Sequence, residues 1–130
     1  MGFVDVGGGQ DLGDNEVLQK LVRRSFEREG YVVIQALTAA EMMLELAKAK
    51  PDLIVLDVGL PDADGRDVLA KLKRDPMTAD IPVVIWSGRD AESDRRIALG
   101  LGAEDYVEKG PPSTLVGKIE RLLLRLRMQA

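Results

Sequence analysis

The chain has 130 residues, of which 45% are hydrophobic and 31% charged, and this composition is typical of one globular domain with its own core. Its 22 acidic and 18 basic residues give a mild negative charge, so bulk charge does not predict a nucleic-acid surface. Because cysteine and histidine are absent, the composition excludes disulfides, thiolate or histidine metal sites, catalytic triads and phosphohistidine on this chain. No apolar stretch approaches membrane length and no signal peptide is visible, so we expect a cytoplasmic location.

Segments typical of helices and strands alternate in the first part of the chain. Apolar residues recur at helical spacing over 17–26, and Gly30 ends that helix. The run 31–34 is rich in residues that favour strands. Thr38 and Glu41 then form a capping box, because the threonine hydroxyl can accept the Glu41 amide while the glutamate reaches back. These patterns predict a helix, a strand and a second helix.

The alternation continues to the end of the chain. Four consecutive apolar residues over 53–56 predict a parallel strand that is buried on both faces. The same criteria predict a helix that ends at Asp75, a strand over 81–86, a helix that ends at Gly102, a short strand at 106–107 and an amphipathic helix over 115–126. With a first strand near the N-terminus, this order predicts a parallel sheet that has helices on both faces.

A single acid, Asp57, follows the apolar strand, and a turn containing Pro61, Asp64 and Gly65 comes after it. Ligands of open α/β sheets bind where the strands reach their carboxyl ends. A carboxylate at the end of a core strand has to be solvated, paired or metal-bound, because its burial alone is costly. Asp57 taken alone is also compatible with capping a loop, so its functional interpretation depends on its neighbours.

The neighbours of Asp57 make the chain resemble the receiver domain of two-component response regulators, from about Asp14 to Leu126. The matching segments follow the order and spacing of the family, and they are 30–31, 53–57 with Pro61 and Gly65, 85–88 and 102–109. The resemblance implies a flavodoxin-like (βα)5 fold with a five-stranded parallel sheet of order 2-1-3-4-5 and helices on both faces. We expect a single domain over 1–130, with an irregular or degenerate first strand and loop over 1–13.

The resemblance also implies a chemistry for the sheet edge. Asp57 would be the phosphoacceptor of a phosphorelay, which takes a phosphoryl group from a kinase histidine. Mg²⁺ would offset the negative charge of the phosphoryl oxygens, held by Asp57, Asp14 and the backbone carbonyl of Gly59. Ser87 would donate its hydroxyl to a phosphoryl oxygen, and Lys109 would supply a point charge.

The resemblance further implies a switch that consists of Ser87 and Tyr106. Movement of the Ser87 hydroxyl lets the aromatic ring turn inward, which changes partner affinity at the face of helix 4, strand 5 and helix 5. Implied partners are a histidine kinase or phosphotransfer protein and an output domain or partner protein at that face, without nucleic-acid or membrane binding by this domain. Ordinary structural alternatives are a turn residue for Ser87, a surface lysine for Lys109 and a core-rim aromatic for Tyr106.

Two places depart from the pattern of the family. Gly13 and Asp14 stand where the family has two adjacent acids, and the preceding segment is rich in glycine. Residues 3–6 can serve as the first strand instead, leaving 7–13 as a loop, and both registers stay open. After Lys109 the usual proline is replaced by Gly110, so we expect a trans peptide there and a less accurate aim of the lysine.

Several other functions compete with the phosphoacceptor interpretation. Intact Asp57, Ser87 and Lys109 favour the phosphoacceptor, and the loss of one acid at Gly13 supports the alternative of a pseudo-receiver, which has the same fold but binds proteins without being phosphorylated. An aspartate-based phosphatase needs a second acid where Gly59 stands, so we expect no enzyme. A flavin carrier would share only the fold, which does not assign a function. We also reject a phosphate-binding loop over 8–15, because Asp14 stands where such a loop requires a lysine. We expect the basic residues over 71–74 to be the solvated face of a helix.

Overall fold

The computed structural model describes residues 2–6, 14–60, 62–88 and 92–129, in which strands and helices alternate. The strands are β1 (Gly2–Val6), β2 (Val32–Ala36), β3 (Leu53–Leu56), β4 (Val83–Ser87) and β5 (Asp105–Glu108). The helices are α1 (Asp14–Arg28), α2 (Ala39–Lys48), α3 (Gly65–Arg74), α4 (Glu92–Gly100) and α5 (Pro112–Gln129). The strands form one parallel sheet of order β2-β1-β3-β4-β5, so the predicted flavodoxin-like fold is confirmed.

Of the two segments that could form the first strand, the structure uses the one nearer the N-terminus, Gly2–Val6. β1 pairs with both β2 and β3, and Val6 lies opposite Leu56. Asp14 is the first residue of α1 and therefore does not end a strand. The predicted loop over 7–13, including Gly13, lies outside the described residues.

Short-range capping sets the beginning of α2 as predicted. The Glu41 amide donates to Thr38 Oγ1 at 3.0 Å, and the Leu37 amide donates to Glu41 Oε2 at 2.7 Å. The glutamate thus reaches back one residue further than Thr38. These bonds satisfy amides that a helix N-terminus leaves without intrahelical partners.

Two apolar clusters sandwich the sheet. Every residue of β3 and β4 is buried, which confirms the prediction of a central strand over 53–56. The cluster on the side of α2, α3 and α4 contains Tyr106, whereas the cluster on the side of α1 and α5 contains Trp86. The central strands of the sheet are therefore supported from both faces by packed side chains. Among the described residues, no helix is both long and apolar enough to span a membrane.

The basic residues at the end of α3 do not form a uniformly solvated face. Lys71 and Arg74 are exposed, but Lys73 is half-buried and its Nζ donates to the carbonyl of Ile81 at 2.7 Å. Burial lowers the pKa of Lys73. The lysine stem also lies against Gly102, where φ is +110° and an added Cβ would come within 2.9 Å of Lys73 Cγ. The expectation of a solvated Lys73 was wrong because the segment after α3 folds back over the helix end.

Candidate functional site

Three of the predicted site residues lie at one edge of the sheet. Asp57 directly follows β3, Ser87 is the last residue of β4, and Lys109 directly follows β5. The strands are parallel neighbours, and Ser87 pairs with Glu108. The carboxyl ends of these strands therefore bring an acid, a hydroxyl and an amine together, as expected for an open α/β sheet.

Asp57 and Lys109 form an ion pair that is largely withdrawn from solvent. Lys109 Nζ donates to Asp57 Oδ2 at 2.5 Å, and their side chains are 8% exposed for the lysine and 13% for the aspartate. The second carboxylate oxygen, Oδ1, accepts the Gly59 amide at 3.0 Å. Each oxygen of Asp57 thus has a fixed donor, and the pair is screened less by salt than a surface pair.

The trans peptide expected after Lys109 is confirmed, and the lysine contacts Asp57 in this conformation. The described peptide bonds are all trans, including the one between Lys109 and Gly110. The Lys109 amide nevertheless donates to the Ser87 carbonyl at 2.6 Å, which extends the β4–β5 ladder by one residue beyond β5. This bond fixes the backbone before the glycine begins, so the side chain reaches Asp57 without a proline.

Trp86 is a site residue that sequence reasoning did not assign. Its ring is 2% exposed, and Lys109 Nζ lies 5.2 Å from the ring centroid. This distance is within the range of cation–π attraction, for which tryptophan is the strongest aromatic partner. The available signal was its place in the chain, directly before Ser87 at the end of a buried strand.

Gly65 explains why the Asp64-Gly65 pair follows Asp57 in the sequence. Asp64 caps α3 by accepting the Arg66 amide at 2.8 Å. A Cβ added to Gly65 would lie 2.5 Å from the carbonyl oxygen of Asp57 and 2.7 Å from Val58 Cα. Only a glycine therefore allows α3 to begin against the backbone that carries Asp57.

Asp62 connects the loop after Asp57 to the start of α2. Its two carboxylate oxygens accept the amides of Ala39 and Ala40 at 2.9 and 3.1 Å. The bond from Ala39 is the main reason that the pKa of Asp62 lies below its usual range. Sequence reasoning missed this cap because the two partners are more than 20 residues apart and belong to different segments.

The oxygen donors at the edge suit a strongly hydrated cation. Asp57 and the Gly59 carbonyl are the candidate ligands within the described part of the chain, and the Asp14 side chain lies outside it. No group of three or more acidic side chains among the described residues is arranged to hold a metal ion. Mg²⁺ takes one or two carboxylates and keeps several waters, so this sparse set of hard oxygens fits it.

Tyr106 is a core residue and not a rim aromatic. The side chain is 2% exposed and belongs to the cluster beneath α2, α3 and α4. Arg95 of α4 places its guanidinium carbon 5.8 Å from the ring centroid, and its Nη1 lies 3.7 Å from Asp105 Oδ1. One arginine thus contacts two successive residues of β5, and it covers the tyrosine from the side of α4.

Comparison with known proteins agrees with this geometry. The family model of the response regulator receiver domain matches residues 12–120, which include Asp14, Asp57, Ser87 and Lys109 but not β1. The KDP operon transcriptional regulatory protein KdpE of Escherichia coli is 40% identical over 96 residues, covering 74% of this chain and 41% of KdpE. The phosphate regulon transcriptional regulatory protein PhoB of Rhizobium meliloti is 35% identical over 116 residues, covering 88% and 51%. The chain spans about half the length of these curated relatives.

Solved structures show the same fold. A two-component response regulator from Clostridium difficile superposes with a TM-score of 0.83 at 24% identity, covering 97% of this chain and 98% of that one. A CheY-like receiver domain protein from Methanospirillum hungatei gives a TM-score of 0.83 at 22% identity, covering 99% and 98%. From the match over 12–120 and the relatives of similar sequence, this chain belongs to the response regulator receiver domain family, whose members act in two-component, phosphorylation-type signalling.

Proposed function

We propose that this chain is a phosphoacceptor domain, in which Asp57 takes a phosphoryl group from a histidine kinase or a phosphotransfer protein. The observation that carries the proposal is the Asp57–Lys109 pair at 2.5 Å, largely withdrawn from solvent at the carboxyl edge of the sheet. A lysine charge at this distance offsets the repulsion between a carboxylate and an incoming phosphoryl group. Asp57 is the only acid in the described part of the chain that this lysine contacts in an ion pair.

The transfer needs only the phosphohistidine donor and a proton from water. A carboxylate oxygen of Asp57 attacks the phosphorus as the bond from phosphorus to the donor imidazole nitrogen breaks, and that nitrogen leaves with the bonding electrons and takes a proton from water. The product is an acyl phosphate. The Gly59 amide holds Oδ1 at 3.0 Å and thereby orients the carboxylate. The Lys109 ammonium then pairs with the negatively charged phosphoryl oxygens. Ser87, at the end of β4, donates a hydrogen bond from its hydroxyl to one of them.

The proposal includes a magnesium site with few negatively charged ligands. Asp57, Asp14 and the Gly59 carbonyl would hold the ion, with waters completing its octahedral shell. When bound, Mg²⁺ supplies positive charge to the phosphoryl oxygens. Lys109 supplies the second positive charge from the protein itself.

The output of the domain is proposed to lie at the face formed by α4, β5 and α5. Ser87 ends β4 at the phosphoryl site, and Tyr106 lies in the neighbouring strand β5 beneath Arg95. A hydroxyl that is drawn toward a phosphoryl oxygen changes the space available to the tyrosine ring. This change shifts the equilibrium between two conformations of the surface above the ring. An output domain or a partner protein would recognise that surface, while the domain itself would not bind nucleic acid.

A pseudo-receiver is the second candidate function. Gly13 stands in the place of one acid of the pair found in the family, and the described residues hold no cluster of three acids. In this case the domain would bind proteins through the same fold without being phosphorylated.

Intact-mass measurement after incubation with acetyl phosphate and Mg²⁺ separates the two candidates. We expect one added phosphoryl group that is lost on treatment with acid or hydroxylamine. Asp57→Asn should abolish the addition, whereas Asp67→Asn, at an exposed acid of α3, should leave it intact. An unmodified parent protein, in conditions that modify another receiver in the same tube, would exclude the phosphoacceptor and favour the pseudo-receiver.

A further inference from the structure

We propose that Trp86 is a positioning residue, whose indole face holds the Lys109 ammonium against Asp57. The proposal rests on the phosphoacceptor function of Asp57, because it assigns to Trp86 the task of aiming the cation of that site. The geometry that carries it is a pair of contacts made by one ammonium group: Lys109 Nζ lies 2.5 Å from Asp57 Oδ2 and 5.2 Å from the Trp86 ring centroid.

The tryptophan is fixed well enough to act as a platform. It lies in the middle of the β4–β5 ladder, opposite Val107, and is 2% exposed. Its cluster on the side of α1 and α5 packs buried side chains around it, among them Val84, Leu115 and Ile119. A side chain that is packed in this way loses little further freedom when the ammonium settles on it.

An aromatic ring is suited to this task because it attracts the ammonium but is a weaker hydrogen-bond acceptor than a carboxylate. A carboxylate in the same place would compete with Asp57 for the lysine and would add negative charge beside the phosphoryl group. The π face attracts the cation through its quadrupole and leaves the N–H groups directed at the acceptor. The attraction is stronger where water is excluded, and the Lys109 side chain is 8% exposed.

The residue after Lys109 makes such a platform useful. Gly110 takes the place of the proline that the family usually has there, and glycine leaves the backbone beyond the lysine unconstrained. The Lys109 amide bond to the Ser87 carbonyl fixes the backbone on one side only. In this proposal Trp86 supplies a second constraint, directly at the side chain.

The contact itself is tested first, independently of phosphorylation. In ¹H–¹³C spectra of the full chain, the ε-methylene protons of Lys109 should be shifted upfield by the indole ring current. Trp86→Leu should return them to the position of an ordinary lysine, whereas Val83→Ala, on the opposite face of the same strand, should not move them. An ordinary shift in the parent protein would overturn the proposal, whatever the outcome at Asp57.

The consequence for the site is tested with Mg²⁺ and beryllofluoride as the phosphoryl mimic. Trp86→Leu should weaken its apparent affinity about tenfold, and Trp86→Phe, which keeps a weaker π face, about threefold. Val83→Ala, on the opposite face of β4, should bind within about twofold of the parent protein if its folding is intact by near-UV circular dichroism. Equal affinity of Trp86→Leu and the parent protein would overturn the positioning role, although Asp57 would still be phosphorylated. A parent protein that neither binds the mimic nor is phosphorylated would instead refute the proposed function, and the Lys109 shift alone would then decide whether Trp86 holds the ammonium.

Discussion

Lys109 and Asp57 stabilise each other, so their replacements should not be additive. Lys109→Met leaves a carboxylate largely withdrawn from water without its cation, and we expect a loss of about 2 kcal/mol in the free energy of unfolding. The same substitution in an Asp57→Asn background should cost clearly less, because the remaining amide carries no charge. A double-mutant cycle from urea unfolding measures the difference, and additive losses would show that the pair is not coupled in solution.

Gly65 permits a backbone contact that no other residue can make. Gly65→Ala would drive a methyl group into the Asp57 carbonyl and Val58 Cα, and we expect it to cost about 3 kcal/mol. The carboxylate of Asp57 should also be displaced, so phosphorylation by acetyl phosphate should slow more than the loss of stability explains. Gly100→Ala in α4 is the matched control, because its added Cβ has no neighbour within 4 Å. A similar urea midpoint for both variants would show that α3 can begin elsewhere.

Gly13 tests the proposed magnesium ligands. Gly13→Asp would place a second carboxylate beside Asp14, and we expect it to tighten Mg²⁺ binding because an additional anionic oxygen is available. Trp86 fluorescence can report the titration, since its ring contacts Lys109 at the site. An unchanged affinity for Mg²⁺ would show that Asp14 is not the ligand, and Asp5 or Asp11 would become the candidate ligand.

Asp62 joins the loop after Asp57 to α2 by accepting two amides from the first turn of that helix. Because these bonds lower the pKa of the folded carboxyl, their contribution to stability is present above the unfolded pKa and is lost as the pH falls through the folded pKa. We therefore expect Asp62→Ala to lower the urea midpoint at pH 7. The difference from the parent protein should shrink below about pH 3.8, the ordinary value for the carboxyl.

Glu120→Ala, at an exposed position within α5, is the control for this experiment and should show no comparable difference at either pH. A constant effect of Asp62→Ala across the titration would mean that the side chain acts through packing and not through its charge. A loss of the effect on raising the pH, instead of lowering it, would contradict the assignment of a depressed pKa.

The sequence predicted the elements whose causes are local. Apolar spacing gave the order of helices and strands, and the capping box at Thr38 and Glu41 forms with neighbours in the chain. It could not choose the register of β1, because residues 3–6 and the glycine-rich segment that follows both satisfy a weak pattern. It also missed Asp62, because its capping contacts with α2 join distant segments. Such contacts depend on how the elements pack, which periodicity alone does not specify.

The placement of three candidate site residues could also be predicted from the sequence, whereas their side-chain contacts could not. Asp57, Ser87 and Lys109 could be placed at one edge because parallel strands end together. The role of Trp86 could not be inferred, because its contact with Lys109 depends on where the lysine side chain turns after β5. Likewise, the pattern of the family suggested a less accurate aim of Lys109, and its contact with Asp57 could not be inferred from the residues around Gly110.

The proposed path from Asp57 to the surface runs from β4 to the neighbouring strand β5. Tyr106 is buried with Arg95 over its ring, and Arg95 also approaches Asp105, so the arginine restrains the tyrosine in its inward position. A ring that is held in this way can respond to Ser87 only if the arginine contact is weak enough to break. The cation–π and ion-pair contacts here are partly exposed, so each is worth about 1 kcal/mol or less.

We therefore expect a phosphoryl group on Asp57 to change the packing of Tyr106, and Ser87→Ala to weaken that change without preventing phosphorylation. The loss of the hydroxyl removes the link between the phosphoryl oxygens and the space beside the ring, but it leaves Asp57 and Lys109 in place. Arg95→Ala should enlarge the response, because the ring then has one restraining contact fewer. Aromatic NMR spectra of the protein with and without beryllofluoride measure the response, and intact mass confirms modification of Asp57. If the Tyr106 ring has the same environment while Asp57 is fully occupied, the signal does not pass through this pair, and partner choice is set at another surface of the domain.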